Sequence, residues 1–449
     1  MKKIYYFIAA LGFLSMTACG DGLDFPDPGV ETDLNKIPLP DVPPLVEIES
    51  KAPTVPMSHV GGLHTEEDFA RIRKKIRNGE SPWVEGWEMF KKSRHANLGD
   101  ENNGDLQATE AIVRTSSGAG DNVMQASRAA AAAYQMAVRW KIGVDDNAQD
   151  YADAAIKILN NWASVNKRLG GDQHNALSGG LIGYQFAAAG ELMRDYENWN
   201  PRDFADFQQW MLAVFYPSNS SFLSNYWGVN ALHYWSNWPL CNLASMMAIG
   251  IVADRRDIYN EAIEHLQTGA TNARLTRAIC HVFTGKWANF AQLQESGRDQ
   301  GHTIMVIGVL GEIMQLAYNQ GDDFYKYNNN MFLKGCEYVA YYNYTSVQKE
   351  DVPYTTYVWQ QQVGSEIRPT VCETLDSMGG GRGEIRPVWA LPYYHYRCVK
   401  GIDADKCQYS KIAADRVAPE GGGSQYGPNT GGYDQLGIGT LMYAMDLPN

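Results

Sequence analysis

The chain has 449 residues, of which 45% are apolar and 20% charged, a balance typical of a globular protein with a large core. A formal net charge of −13 argues against nucleic acid as a partner, although a local basic pocket can still bind an anionic substrate. Aromatic residues make up 12% of the chain, with 26 Tyr and 12 Trp, and sugar-binding clefts are one place where such residues gather.

The N-terminus has the pattern of an export signal. Lys2 and Lys3 precede an apolar run over residues 4–14 that is too short to span a bilayer. Residues 16–19 (Met-Thr-Ala-Cys) resemble a bacterial lipobox, which predicts a signal peptide over residues 1–18 and lipidation of Cys19. The protein would then be an exported lipoprotein, at the outer membrane or facing the periplasm. The alternative is a secreted protein with a chance cysteine.

A proline-rich segment follows. Eight prolines between residues 21 and 57 predict an extended spacer over residues 19–57, and we expect residues 58–449 to form one catalytic domain. Of the six later cysteines, Cys398 and Cys407 are close enough in sequence for a disulfide, whereas Cys241 and Cys336 lie in apolar helical patterns and are expected as buried thiols. No Cys-x-x-Cys or His-Glu-x-x-His motif is present, so we expect no metal and no cofactor.

Helical periodicity dominates the predicted catalytic domain. Thr65 and Asp68 form a capping box at the start of the first helix. Further helices are expected over residues 125–142, 148–165, 179–196, 201–215, 227–253, 258–268, 301–319, 330–342 and 387–399. Several are apolar nearly all round, and short polar turns join them. The pattern predicts an all-α fold, an (α/α) toroid with an inner and an outer ring of helices.

Two glycine-rich stretches interrupt this pattern near the C-terminus, over residues 379–383 and 420–433. Neither is followed by Gly-Lys-Ser/Thr, so neither is a phosphate-binding loop. We expect both to line a cleft, with a purely structural turn as the equal alternative.

Arg298 and His302 are the first candidates for chemistry. They are four residues apart, and if the helix begins by Gly297 they lie on one face. A fixed cation beside an acid/base group suits a reaction next to a substrate carboxylate. The alternative is that Arg298 only pairs with Glu295 or Asp299 on a solvated helix start.

Three segments resemble the alginate lyase family of polysaccharide lyases. They are residues 233–238 (His-Tyr-Trp-Ser-Asn-Trp), residues 295–302 (Glu-Ser-Gly-Arg-Asp-Gln-Gly-His) and residues 320–323 (Gln-Gly-Asp-Asp). The closing Glu-Gly-Gly-Gly…Gly-Tyr-Asp-Gln-Leu-Gly segment, over residues 420–437, is shared with a wider set of members. The resemblance implies a helical toroid that cleaves a uronic-acid polymer, with alginate the first candidate, by β-elimination.

This chain departs from the family pattern at three positions. The family's Asn-His pair falls on Ala231 and Leu232, and its Tyr falls on Met305, whereas its Arg matches Arg298. We therefore expect substituted groups: Asn237 beside Arg298 on the substrate carboxylate, His302 as the base and a tyrosine as the acid. For the acid, the sequence offers Tyr394, Tyr396 and Tyr433, and we favour Tyr433 because its glycine-rich loop can close over a cleft.

Other residues complete the predicted site and leave alternatives open. His395 is a second candidate for the base, and the predicted substrate-binding set is His233, Trp238, Gln294, Gln300, Tyr394 and Tyr396. His233 is equally compatible with a core position, and Trp238 fits a core position better than a sugar-binding surface. Two other functions remain: a glycoside hydrolase using two of Glu295, Asp299, Glu366 and Glu384, or a carbohydrate-binding lipoprotein without activity.

Overall fold

The computed structural model describes residues 41–423 and 432–448, so the predicted signal peptide, Cys19 and most of the second glycine-rich stretch lie outside the described residues. Helices form most of the described chain: α1 Glu66–Arg77, α2 Trp83–Phe90, α3 Val123–Ile142, α4 Ala148–Val165, α5 His174–Met193, α6 Pro201–Trp210, α7 Tyr216–Asn225, α8 Asn237–Val252, α9 Arg256–Thr268, α10 Leu275–Ala278, α11 Gln300–Asn319, α12 Tyr327–Tyr344, α13 Ala390–Tyr394, α14 Gln408–Val417 and α15 Gly439–Tyr443. The capping box of α1 is present as predicted.

The helices form two concentric rings. Every residue of α5 and α8 is buried, as is nearly all of α11, because helices that are apolar all round are stable only when covered on all sides. The helices α4, α6 and α9 each bury one face and expose the other, and they pack outside the inner helices α3, α5, α8 and α11. The predicted all-α toroid is confirmed.

Neighbouring inner helices approach each other closely. A Cβ atom at Gly180 of α5 would lie 2.7 Å from the backbone nitrogen of Asn242 in α8, so only glycine permits this contact. The same arrangement continues from α8 to α11. The N-termini of these helices therefore meet at one end of the barrel.

Three small two-stranded sheets accompany the helices. The strands β1 (Ala111–Arg114) and β2 (Arg168–Gly171) are parallel, whereas β3 (Ile279–Val282) with β4 (Ala291–Leu293) and β5 (Tyr357–Val363) with β6 (Glu366–Cys372) are antiparallel. The β5–β6 hairpin was not predicted. Its register pairs Val363 with Glu366 and leaves a two-residue turn of Gly364 and Ser365, the shortest common hairpin connection.

The start of α8 differs from the prediction. The helix begins at Asn237 and not at Trp227, and Pro239 occupies its first turn, where a missing N–H costs no hydrogen bond. His233 therefore lies in the loop before the helix. A helix that began at Trp227 would place His233 and Asn237 one turn apart on one face, and the observed start at Asn237 separates them.

The structure differs from the sequence-based expectations for the spacer and for one disulfide. Residues 41–57, assigned to the spacer, pack against the barrel: Lys51 pairs with Asp322 at 3.0 Å, and Gln267 accepts hydrogen bonds from the backbone of Glu47 and Ile48. All six cysteines of the described residues are free thiols, so the bridge considered between residues 398 and 407 is absent.

One described helix, α11, is long and apolar enough to cross a membrane. In its most apolar window, 83% of the residues are buried inside the barrel, as expected of a core helix.

Candidate active site

Asp299 organises the candidate site at the N-terminus of α11. It is the N-cap residue, and its Oδ1 accepts a hydrogen bond from the backbone N–H of His302 at 2.8 Å. Its Oδ2 accepts from Nδ1 of His302 at 2.7 Å and lies 3.5 Å from Nε of Arg298. Arg298 and His302 are thus brought together as predicted, but by a shared carboxylate. They do not share a helix face, because α11 begins after Arg298.

This geometry assigns the chemistry of each group. Burial alone would raise the pKa of Asp299, but His302 and Arg298 lower it to about 2, so the carboxylate is charged. Since Nδ1 of His302 donates its hydrogen to Asp299, Nε2 carries the lone pair of the neutral ring. The side chains of Arg298 and His302 keep 11% and 19% of their surface exposed. We call Glu295, Arg298, Asp299 and His302 the Asp299 cluster.

Glu295 forms the buried floor of this cluster. It has no exposed surface, and its Oε1 accepts the backbone N–H of Asn237, at the start of α8, at 3.0 Å. Its Oε2 lies 3.5 Å from the guanidinium of Arg298. Burial raises the pKa of Glu295, and Arg298 and His302 oppose that rise. Glu295 therefore joins α8 to α11 and fixes the position of Arg298.

Aromatic rings form one wall. Arg298 lies over the ring of Trp235 at 5.4 Å, and Trp235 stacks on Trp359 of β5 with 5.0 Å between ring centroids. The unpredicted hairpin thus supports the guanidinium through Trp235.

A segment from far along the chain holds the other side. The backbone N–H groups of residues 376, 377 and 378 donate to the carbonyls of residues 296, 297 and 298, and Gln300 N donates to the carbonyl of Gly380 at 2.8 Å. The predicted glycine-rich turn over residues 379–383 therefore lies against the first turn of α11. Gly381 has φ +84°, and a Cβ there would lie 3.0 Å from the nitrogen of Gly301, so the position requires glycine.

Glu384 ends that turn and leads to a second group of side chains. Its carboxylate lies against Gly301, and burial, together with the charge of Asp299, raises its pKa. Arg386 lies 3.5 Å from Glu384 and pairs with Asp434 at 2.9 Å. The residue next to Asp434 is Tyr433, one of the predicted acids, so Tyr433 belongs to the same end of the barrel.

Tyr433 is bound to a histidine that sequence analysis did not single out. Its hydroxyl lies 3.0 Å from Nε2 of His95, and Nδ1 of His95 lies 2.6 Å from Asp100. Burial raises the pKa of Tyr433, and Arg128 and Arg94 partly offset that effect. Asp100, His95 and Tyr433 form a hydrogen-bonded chain that can move a proton to and from the phenol.

A third His–Asp pair lies at the start of α5. Nδ1 of His174 is 3.0 Å from Asp172, and its ring contacts Trp238 of α8 at 5.2 Å. Its Nε2 is buried and has no hydrogen-bond partner among the described residues. Both of these His–Asp pairs are close in sequence, with the spacing Asp-x-His at residues 172–174 and His-x₄-Asp at residues 95–100. These spacings are the sequence signals that could have identified them.

Three predicted substrate-binding residues support the site. His233 accepts the N–H of Gln362 on its Nδ1 at 2.8 Å, which anchors the hairpin. The side chain of Gln294 bridges Ser236 and Tyr357, and that of Gln300 bridges Asp376 and Asn343. Gln294 and Gln300 are buried, and these bonds occupy both ends of each amide.

Asn237 and Trp238 are buried in the barrel wall. Asn237 has no exposed surface, and its side-chain amide lies 3.9 Å from Met305. Trp238 is 1% exposed and stacks on Tyr234. The contribution of Asn237 to the site is its backbone N–H, which Glu295 accepts.

His395, Tyr394 and Tyr396 are not brought to the Asp299 cluster. The ring of His395 packs on Tyr318, sixteen residues along α11 from His302, which is roughly 24 Å along the helix axis. Burial lowers the pKa of His395 to about 3, and its ring stacks on Tyr325. Tyr396 is fully buried and donates to a backbone carbonyl, while Tyr394 packs on Tyr393 in the same short helical segment. At that distance His395 and its two neighbouring tyrosines do not contact the sugar unit that Arg298 would bind.

The carboxylates considered for a hydrolase are poorly placed for that reaction. Glu366 is 71% exposed at the turn of the hairpin, and Glu295 is fully buried. Only Asp299 and Glu384 remain near His302, and Asp299 is committed to the helix cap and to His302. Among the described residues, no group of three or more His, Cys, Asp or Glu side chains is placed to hold a metal ion.

Comparison with known proteins agrees with this architecture. An alginate lyase from Bacteroides ovatus superposes with a TM-score of 0.51 at 12% identity, covering 87% of this chain and 100% of that one. Two structures of alginate lyase A1-III complexed with a tetrasaccharide superpose with TM-scores of 0.55 and 0.58 at 12% and 11% identity. They cover 87% and 88% of this chain and 98% of theirs. At these identities the likeness establishes the fold alone, and no curated protein matches the sequence.

The sequence itself also matches a family model, that of alginate lyase, over residues 103–350. That span contains α3 to α12, the whole Asp299 cluster and more than half of the chain. The family predicted from the sequence motifs is confirmed, and the protein is an enzyme of the polysaccharide lyase class. This chain belongs to the alginate lyase family.

Proposed function

We propose that this protein cleaves a uronic-acid polymer, with alginate as the first substrate to test, by β-elimination. The observation that carries the proposal is the Asp299 cluster, in which a permanent cation and an imidazole share one charged carboxylate at the N-terminus of α11. The tetrasaccharide bound to alginate lyase A1-III, which has the same fold, supports an acidic oligosaccharide as the ligand class.

Arg298 is the group that binds the substrate carboxylate. The C5 hydrogen of a uronate is α to that carboxylate, and its removal places more negative charge on the carboxylate oxygens. A planar guanidinium can donate two parallel hydrogen bonds to them. Glu295 below and Trp235 beside the guanidinium hold it in one orientation, so little reorganisation accompanies the reaction.

His302 is the base. Its Nε2 takes the C5 hydrogen as a proton, and the electron pair of the C5–H bond forms the C4=C5 double bond as the C4–O bond breaks. Asp299 accepts from Nδ1 throughout and stabilises the imidazolium that results.

Tyr433 supplies the proton that the leaving oxygen at C4 requires. The resulting phenolate takes a proton from Nε2 of His95, which Asp100 holds in place. Solvent then returns a proton to His95 and removes the one that His302 gained. The products are one chain with a new hydroxyl end and one with an unsaturated uronate end, so atoms and charge balance.

The experiment is a digest of mannuronate-rich alginate, guluronate-rich alginate, glucuronan and a glycosaminoglycan. Elimination produces equal numbers of reducing ends and ultraviolet-absorbing unsaturated ends. Reducing ends without that absorbance would identify a hydrolase, and unchanged polymer length in every digest would refute the proposal.

Variants then test the roles of the residues. His302→Gln should lower kcat by about 10²- to 10⁴-fold with little change in KM, because a base acts in the transition state. Arg298→Lys should already lose much of the activity, since an ammonium cannot reproduce the two-bond contact. His265→Gln on α9 and Arg202→Lys on α6, both on the outer ring, are matched controls. Normal turnover by a folded Arg298→Ala protein would assign Arg298 a structural role only.

We further propose that the enzyme is an exported lipoprotein anchored through Cys19, which rests on the lipobox resemblance alone. Cys19→Ala should move the protein from the membrane fraction to the soluble fraction without changing its activity in lysate. A variant that stays in the membrane fraction would refute the anchor.

A further inference from the structure

A groove of about 530 Å³ opens beside the N-terminus of α5, within the size range of ligand-binding clefts. We call it the Trp227 groove, and its polar and aromatic lining includes Lys167, Arg168, Asn175, Ser218, Asn225 and Trp227. Among the described residues that line it none is acidic, although the chain has 51 acidic and 38 basic residues. The groove is therefore a basic site on an acidic protein.

Three side chains of this groove are available to a ligand. The side chain of Asn175 is only 9% exposed, yet it makes no hydrogen bond to any described residue. Arg168 is exposed and forms no ion pair within residues 41–423 and 432–448. The indole of Trp227 is 49% exposed and has no ring partner in the described chain. A cation, an amide and an uncovered aromatic face are the groups that bind an acidic sugar.

The backbone presents Trp227 to the groove. Both Tyr226 and Trp227 have left-handed backbone angles, with φ of 54° and 52°, which residues other than glycine rarely adopt. On the other side of the groove, a Cβ atom added at Gly179 of α5 would lie 2.6 Å from the side chain of Leu169. The absence of a side chain at Gly179 therefore lets the start of α5 meet β2 at the floor of the groove.

The groove lies at the same end of the barrel as the Asp299 cluster. Asn175 follows His174, whose ring packs on Trp238, and the backbone of the preceding residue, Asn237, donates to Glu295. Two steps between neighbouring inner helices separate the groove from His302, a distance of roughly 16–20 Å. A polymer lying across the cleft spans that distance, whereas a single uronate does not.

We propose that the Trp227 groove is a remote binding site for an anionic polysaccharide, holding a stretch of the same uronate chain a few sugar units away from the bond that is cleaved. This inference rests on the proposed function for the identity of the polymer. An adjoining depression shares Lys167 but contains Asp203 and Asp206, so the polymer is expected to end at the basic groove.

The kinetic test compares a long polymer with short oligosaccharides of the same uronate. Trp227→Ala and Arg168→Glu should each raise KM for the polymer by about tenfold, equivalent to 1.4 kcal/mol of binding. Turnover at saturation, and KM for a trisaccharide too short to reach the groove, should not change. Gln209→Ala, in the adjoining depression, and Lys406→Glu, outside both, are matched controls.

Salt and direct binding complete the test. The Arg168→Glu effect should shrink in 1 M salt, where the screening length is about 3 Å, while the Trp227→Ala effect should remain. Retardation in native gels that contain alginate or glucuronan measures binding without catalysis. If the wild-type enzyme is active and its groove variants keep the wild-type KM for the polymer and the wild-type retardation, the groove proposal is wrong but the lyase proposal stands. If the groove variants lose retardation but the wild-type protein cleaves none of the polymers, the groove proposal stands and the lyase proposal is refuted. Absence of wild-type retardation by any acidic polymer overturns the groove.

Discussion

Glu312 is a carboxyl group in the barrel interior, and its replacement by glutamine gives a quantitative prediction. It is 7% exposed on α11, and burial raises its pKa to about 8. Tyr184 has two acceptors, Oε1 of Glu312 and the carbonyl of Asp434, each at 2.9 Å. One hydroxyl hydrogen cannot serve both. A protonated Glu312 resolves this, because it donates to Tyr184 while Tyr184 donates to Asp434.

The size of the expected stability difference follows from the pKa of Glu312. The ordinary value of a glutamate is 4.5, and at 1.36 kcal/mol per pKa unit the rise to about 8 corresponds to roughly 5 kcal/mol. The folded-state pKa is raised, so the stability from this proton is fully present below pH 4.5 and is lost as the pH rises through 8. Glutamine keeps its hydrogens at every pH and can donate to Tyr184 in the same way.

We therefore expect the free energy of unfolding of Glu312→Gln, relative to wild type, to increase steadily between pH 4.5 and 8. At pH 7 the gain should be about 3 kcal/mol over the difference at pH 4.5. Urea unfolding at four pH values measures it, with Glu264→Gln on the exposed face of α9 as the matched control. A Glu312→Gln difference that does not depend on pH would refute the protonated carboxyl and the hydrogen-bond assignment with it.

Three further predictions concern the site and the thiols. Tyr433→Phe should lower kcat by at least about 10²-fold because it removes the acid, and should lower the melting temperature only slightly, because it keeps the ring but leaves Nε2 of His95 without this partner. Equal loss of activity in His95→Gln would support the relay, and full activity in Tyr433→Phe would exclude Tyr433 as the acid. Gly381→Ala should lower the free energy of unfolding by about 1–3 kcal/mol. Gly380→Ala, where no atom lies within 4 Å of the added Cβ, should lower it less. Equal losses in the two variants would contradict the close approach of Gly381 to α11. Thiol titration of the unfolded, unreduced protein should count all six cysteines after residue 40, and any shortfall would reveal a disulfide.

Sequence periodicity predicted most closely a helix that exposes one face. The helix over residues 148–165 has the predicted bounds because its apolar residues recur on one face, and that face packs inward. The inner helices α5 and α8 are buried on all sides and have no such face, and both begin several residues away from their predicted starts. For α8 the informative signal was Pro239 in the first turn, which places the start near Asn237 and leaves His233 in a loop.

The candidate site was predictable only where its residues are close in sequence. Arg298 and His302 were found because they lie four residues apart in one motif, and the structure adds that Asp299 between them is the N-cap of α11. Trp359 and Glu384 reach the site through tertiary contacts, and His95 lies more than 300 residues from the tyrosine that it binds. No local pattern encodes such contacts, although the Gly364–Ser365 turn does mark the hairpin.

The backbone pairing of residues 376–380 with residues 296–300 has a consequence for the order in which the enzyme is made. A nascent chain that has reached residue 350 already contains the whole Asp299 cluster, yet the segment that holds the start of α11 in register has not been synthesised. Tyr433 follows later still. Helices of the barrel can form as they leave the ribosome, but the catalytic arrangement is completed only by the last quarter of the chain. An incomplete chain therefore folds toward the right shape without the capacity to degrade polysaccharide.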